Sequence, residues 1–82
     1  MIRAKVYVTL KKGVLDPQGE TVRSALETLG FGEVRDVRIG KFMVICLNDV
    51  PRDEARQRVE EMCKKLLANP VIEEYRFEVE EG

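Results

Sequence analysis

Val37-Arg38-Ile39-Gly40-Lys41-Phe42-Met43-Val44-Ile45-Cys46-Leu47 reads as a β-hairpin, and that reading decides the fold. Gly40-Lys41 is a two-residue connection with glycine at its first central position, as a type II′ turn requires. A strand starting near Gly32 and ending at Ile39 then turns back into a strand from Phe42 to Leu47. Ile39 faces Phe42 and Val37 faces Val44 on one side, while Met43, Ile45 and Leu47 project on the other. The later strand is apolar on both faces, which predicts a place in the middle of a sheet with cover on both sides. One of those covers has to come from outside so short a chain.

Working outward, Ile2 to Leu10 alternates cleanly, with Ile2, Ala4, Val6, Val8 and Leu10 on one face and Arg3, Lys5, Tyr7 and Thr9 on the other. This predicts a half-buried strand. Asp16-Pro17 supplies an N-cap and a proline at the first helical position. Val22, Ala25, Leu26 and Leu29 follow at helical spacing before Gly30 stops the helix. Gly19 weakens the first turn by about 1 kcal/mol relative to alanine, so something other than propensity keeps a glycine there, and close approach of another backbone is one candidate.

Downstream of the hairpin, the spacing predicts a helix from about Arg52 to Ala68 with Ala55, Val59, Met62, Cys63, Leu66 and Leu67 as its apolar stripe. Leu66 counts as core in this reading, so Leu66→Ala is expected to cost about 2–5 kcal/mol through a cavity. The charged side of the helix carries Glu54-Arg58, Glu60-Lys64 and Glu61-Lys65 pairs and reads as a solvated face. Asn69-Pro70 ends the helix. Tyr75, Phe77 and Val79 alternate with Glu74, Arg76, Glu78 and Glu80 in a last strand, antiparallel to the first, where Arg3 and Lys5 face Glu78 and Glu80.

The order strand, helix, strand, strand, helix, strand predicts an α+β, ferredoxin-like two-layer sandwich: an antiparallel four-stranded sheet, first and third strands central, with two helices on one face. Residues 1–82 form one domain. On the uncovered face this reading leaves Tyr7, Val34, Met43, Ile45 and Leu47, a patch that predicts self-association or a partner.

A domain of 82 residues buries only about 60–65% of its unfolded surface, so partners or copies would add stability. With 14 basic and 15 acidic residues the net charge is -1, which gives no general attraction for nucleic acid or anionic membrane. There is no histidine, and Cys46 and Cys63 stand alone in separate apolar elements, where both read as small buried hydrophobes. This removes most metal and nucleophile chemistry, and no metal or cofactor is expected on this chain. No stretch has the length and apolarity of a signal peptide or membrane span. The chain reads as cytoplasmic and complete.

Leu10 through Gly19, followed by Val22, Ala25-Leu26 and Leu29-Gly30-Phe31, together with Met62-Cys63, Lys65 through Glu73 and Tyr75, resemble the PurS family. Val37 to Lys41 has the same look. PurS is the small subunit of phosphoribosylformylglycinamidine synthase. The resemblance implies a non-catalytic bridge between a PurQ-type glutaminase, which releases ammonia, and a PurL-type synthetase, which consumes it with ATP and magnesium. It also implies a homodimer or higher homo-oligomer. On this basis Lys11, Gly13, Leu15, Asp16, Pro17, Gln18, Asn69 and Pro70 are assigned to the larger subunits, because their turn chemistry is ordered yet exposed. Tyr7, Met43, Ile45 and Leu47 are assigned to self-association. A free-standing dimeric regulatory module that binds a small metabolite is the competing expectation from another class.

Overall fold

The computed structural model describes residues 1–81 of the 82. Strand β1 (Ile2–Leu10) is followed by helix α1 (Pro17–Thr28), strand β2 (Lys41–Leu47), helix α2 (Arg52–Met62), a π-helical turn (Cys63–Leu67) and strand β3 (Glu73–Glu81). The sheet is three-stranded and antiparallel in the order β2-β1-β3.

The four-stranded sheet and its hairpin do not form within the chain. Residues 33–40 hold no strand, because their backbone is engaged elsewhere. The Ile39 N–H donates to Asp16 Oδ2 at 2.7 Å, and Gly40 lies so close to β1 that a side chain there would overlap the Val8 carbonyl oxygen. The segment is thus a strap crossing from α1 to the sheet. β2 pairs with β1, as expected of two central strands, but with no strand beyond it β2 stands at an edge, not at the centre.

The register settles which residues share a face, since directly opposed residues of a ladder project to the same side. Met43, Ile45 and Leu47 oppose Val6, Ala4 and Ile2, and Val79, Phe77 and Tyr75 oppose Ala4, Val6 and Val8. All of these lie on the core face. Its buried centre is Ile2, Ala4, Val6, Val8 and Val79 under Ala55, Val59, Cys63 and Ala68. The other face carries Arg3, Lys5, Tyr7 and Thr9 beside Phe42, Val44, Cys46, Glu74, Arg76, Glu78 and Glu80. The expected charge ladder is present there, with Lys5 and Arg3 at 3.3 and 3.8 Å from Glu80. Cys46 lies exposed on that face rather than buried, and Cys63 is in the core.

Among the described residues, α2 and the π-turn that continues it cover the sheet, α2 lying over β1 and β3. Helix α1 makes no substantial packing against any strand or against α2, so the expectation of two helices on one face fails within one chain. Its apolar stripe stays open, with Leu29 72% and Val22 38% exposed. The result is an extended molecule. Its radius of gyration is 16.3 Å, against about 12 Å for a compact domain of this length.

Candidate functional site

Lys11 joins the two loops that the sequence singles out. Its N–H donates to the Ile72 carbonyl at 2.9 Å, and its Nζ donates to the Pro70 carbonyl at 2.6 Å. From the strap, the Arg38 guanidinium donates to the Lys11 carbonyl at 3.0 Å. That carbonyl also closes a turn with the Val14 N–H at 3.1 Å, a turn whose left-handed corner is Gly13 at φ 87°. Beyond Lys11, Asn69 organises the second loop. Its side chain accepts from the Val71 N–H at 3.0 Å, its N–H donates to Glu73 Oε1 at 2.7 Å, and its carbonyl accepts from the Glu73 N–H at 2.7 Å. Both loops are exposed but fixed by hydrogen bonds.

Asp16 fixes the other end of the first loop. It caps α1 by accepting from the Gly19 N–H at 2.9 Å while it holds Ile39, and it is the one buried charged side chain among the described residues. These two N–H donors, Ile39 first and then Gly19, hold its carboxyl below the ordinary aspartate range. Gly19 is required by the strap, because a Cβ at this position would overlap the Val37 carbonyl oxygen. Pro17 and Gln18 are exposed beside this clamp, and so is Leu15, at 78%. A shallow groove of about 170 Å³ runs here, lined in part by Asp16, Gln18, Ile39 and Gly40.

The four residues assigned to self-association are not brought together. Tyr7 lies on the open face, with its ring 5.0 Å from Phe42 and the Arg76 guanidinium 3.9 Å from its centroid. Met43, Ile45 and Leu47 are half-buried on the core face, where they pack against the buried cluster. The structure adds surfaces that the sequence reading had placed in the core. Val22 and Leu29 of α1 are two of them, and the isolated glycine of the first helical turn was the signal that this helix docks on a backbone rather than on the sheet. Leu66 is another, 82% exposed, because the π-turn rotates it off the apolar stripe. No sequence pattern marked that turn.

Chemically the surface is quiet. Among the described residues no group of three or more His, Cys, Asp or Glu side chains is placed to hold a metal, and no buried side-chain polar atom lacks a partner. Burial raises the Cys63 thiol above its ordinary value. Burial, with help from Glu60, does the same for Tyr75. Both are core effects with no reacting group beside them. Among the described residues no helix is long and apolar enough to cross a membrane. Rigid exposed loops, an open helix stripe and a free strand edge suit docking between proteins.

The PurS model, described as phosphoribosylformylglycinamidine (FGAM) synthase, matches residues 3–81. The phosphoribosylformylglycinamidine synthase subunit PurS of Bacillus subtilis is 56% identical over 81 residues, covering 99% of this chain and 95% of that protein. The crystal structure of Methanocaldococcus jannaschii PurS is described as one of the subunits of formylglycinamide ribonucleotide amidotransferase in the purine biosynthetic pathway. It superposes with a TM-score of 0.89 at 46% identity, covering 100% of this chain and 99% of that one. A chain in the structure of PurLQS from Thermotoga maritima gives a TM-score of 0.84 at 28% identity, with 98% and 99% covered. With its three-stranded sheet, its two helices and nearly its whole length matched, the chain belongs to the PurS family of phosphoribosylformylglycinamidine synthase subunits.

Proposed function

We propose that this chain is the non-catalytic small subunit of a phosphoribosylformylglycinamidine synthase in purine biosynthesis, bridging a PurQ-type glutaminase and a PurL-type synthetase. ATP and magnesium are used on the synthetase, and ammonia passes between the two larger subunits while they are held together. Ammonia released to water at neutral pH is protonated and loses its nucleophilic lone pair, so the two sites need a joint that excludes water. The observation that carries this reading is the Lys11 joint, which fixes the Lys11–Gln18 loop against Asn69-Pro70 as one exposed surface. A preordered surface loses little entropy on docking.

The test is reconstitution of glutamine-dependent and ammonia-dependent product formation from purified synthetase and glutaminase, with and without this chain. Glutamine-dependent turnover and assembly are expected to require it, while free ammonia supports the synthetase alone. Replacing Asp16-Pro17-Gln18 by Ala-Ala-Ala is expected to abolish assembly. Full glutamine-dependent activity in that variant would remove the loop from the interface.

For self-association, the β2 edge and the α1 stripe replace the patch around Tyr7. β2 carries a single charge, Lys41, and presents an unpaired ladder beside half-buried Met43, Ile45 and Leu47. β3 carries five glutamates and an arginine, which guard its edge against pairing. A sheet of more than three strands, with a helix over each half, arises when a second copy pairs at β2 and contributes its α1. That would restore between chains the layering expected of a ferredoxin-like sandwich.

A further inference from the structure

The strap between α1 and β2 is lightly bound. From Arg35 to Ile39 its backbone makes one hydrogen bond to the described residues, from the Ile39 N–H to Asp16 Oδ2 at 2.7 Å. Two further contacts steady it, the Arg38 guanidinium on the Lys11 carbonyl and the Val37 carbonyl against Gly19. Gly40, where the strap enters β2, has no positive φ, so the chain runs on beside Val8 without making a type II′ turn. The sequence still carries the chemistry of that turn. A two-residue connection at Gly40-Lys41 would pair Ile39 with Phe42 and Val37 with Val44, and β2 has no strand on that side. Closing it requires the Ile39 N–H, because the two residues that flank such a turn exchange both backbone bonds. A single N–H donates either to the Phe42 carbonyl or to Asp16. Reach is no obstacle. Residues 33–39 would span about 23 Å as a strand. Helix α1, with its 12 residues, is about 18 Å long and can return over the sheet, with residues 29–32 as the connection.

We propose that Asp16 is a latch. It keeps the chain open, with the strap held off β2, and its release lets residues 33–39 zip onto the β2 edge of the same chain. Closed, the chain becomes the four-stranded sandwich that its sequence pattern describes. The edge assigned above to self-association is then covered, so closure and self-association compete for it, as when an exchanged element interconverts monomer and dimer. With the latch intact the closed form is the minor one. Only this last consequence rests on the self-association reading of β2.

The experiment uses the full chain with Cys46→Ser and cysteines introduced at two pairs of equal separation. V37C/V44C face each other only in the closed register, within disulfide reach, whereas R35C/F42C are four residues out of it. Oxidised glutathione, which is itself reduced as each disulfide forms, is expected to cross-link V37C/V44C within one chain. Asp16→Ser should speed this about tenfold or more, since serine still caps α1 but lets go of Ile39. R35C/F42C should stay slow with either residue at position 16. The oxidised V37C/V44C chain should be monomeric at concentrations where the reduced one self-associates. No acceleration by Asp16→Ser overturns the latch. Equal acceleration of both pairs also overturns it, because a merely loosened chain favours neither. A disulfide between two chains, read by mass on a non-reducing gel, puts the strap on a partner's β2 and overturns closure within one chain. If the oxidised chain closes and self-associates as the reduced one does, the latch stands while β2 leaves the association surface.

Discussion

The two helices carry similar amphipathic patterns and meet opposite fates. α2 lays Ala55 and Val59 on β1 and β3 and, with Cys63, completes the buried cluster. α1 reaches away from the sheet, attached through Asp16, Gly19 and the strap at 37–40, and keeps Val22 and Leu29 in solvent. An apolar stripe thus states that a helix needs a partner, without stating that the partner lies in the same chain. The α2 half is a self-sufficient core. The α1 half, with the β2 edge, is the surface proposed above for self-association.

The sharpest way to break that contrast is to make α1 polar. Val22→Ser with Leu29→Ser removes two apolar side chains, of which Leu29, 72% exposed, contributes little to the single chain and Val22, 38% exposed, contributes part of its surface. If a second copy buries them, each is worth about 1.5–3 kcal/mol per protomer, so self-association should weaken by about 100-fold or more, as sedimentation equilibrium would read. Circular dichroism at low concentration should be unchanged. An unaltered oligomer would place the interface elsewhere. The matching change in the other half is Val59→Ala. Val59 is fully buried, and the lost packing should cost about 1.5–3 kcal/mol in denaturant unfolding, with no direct effect on the association surface.

Gly19→Ala sharpens the comparison at the joint between the halves. Helix propensity alone predicts that alanine stabilises α1 by about 1 kcal/mol. The Val37 carbonyl stands where the new methyl would go, so the sign should reverse to a loss of about 1–3 kcal/mol as the strap is pushed off the helix. A stabilised Gly19→Ala would mean that α1 does not rest on the strap. Asp16 adds its own pH dependence to the same joint. Its carboxyl sits below the unfolded value, so its contribution is present above that value and is lost as the pH falls through the folded one.

Much of this was legible locally. Strict alternation marked β1 and β3 and even the pairing of Arg3 and Lys5 with the glutamates of β3, and Asp16-Pro17 marked the start of α1 within one residue. The hairpin that Gly40-Lys41 suggests does not form, because the deciding bond, Ile39 N–H to Asp16, spans 23 residues and leaves no periodic trace. That single error moved β2 from edge to centre and reversed the side of Met43, Ile45 and Leu47, since a strand's faces are assigned only relative to its true neighbour. The two loops assigned to docking are visible as punctuation, Gly13 and Asn69-Pro70 above all. Their joining by Lys11 is not, because it rests on backbone carbonyls that carry no sequence signal.

Leu66 gives the smallest effect and the finest test of how far the α2 half extends. By spacing it continues the stripe of Ala55, Val59 and Cys63, and truncation of a core leucine costs about 2–5 kcal/mol. The π-turn removes it from that stripe and gives its place to Leu67 and Ala68. With 82% of its surface in water, Leu66→Ala should leave no cavity and change stability by less than about 0.5 kcal/mol. Leu67→Ala, half-buried against the cluster, should cost distinctly more. Equal losses at both positions would mean that the last turn is α-helical in solution and that the covered half runs one turn further. A silent Leu66 beside a costly Leu67 would fix Cys63 as the point where the helix widens and its covered stripe passes from Leu66 to Leu67 and Ala68.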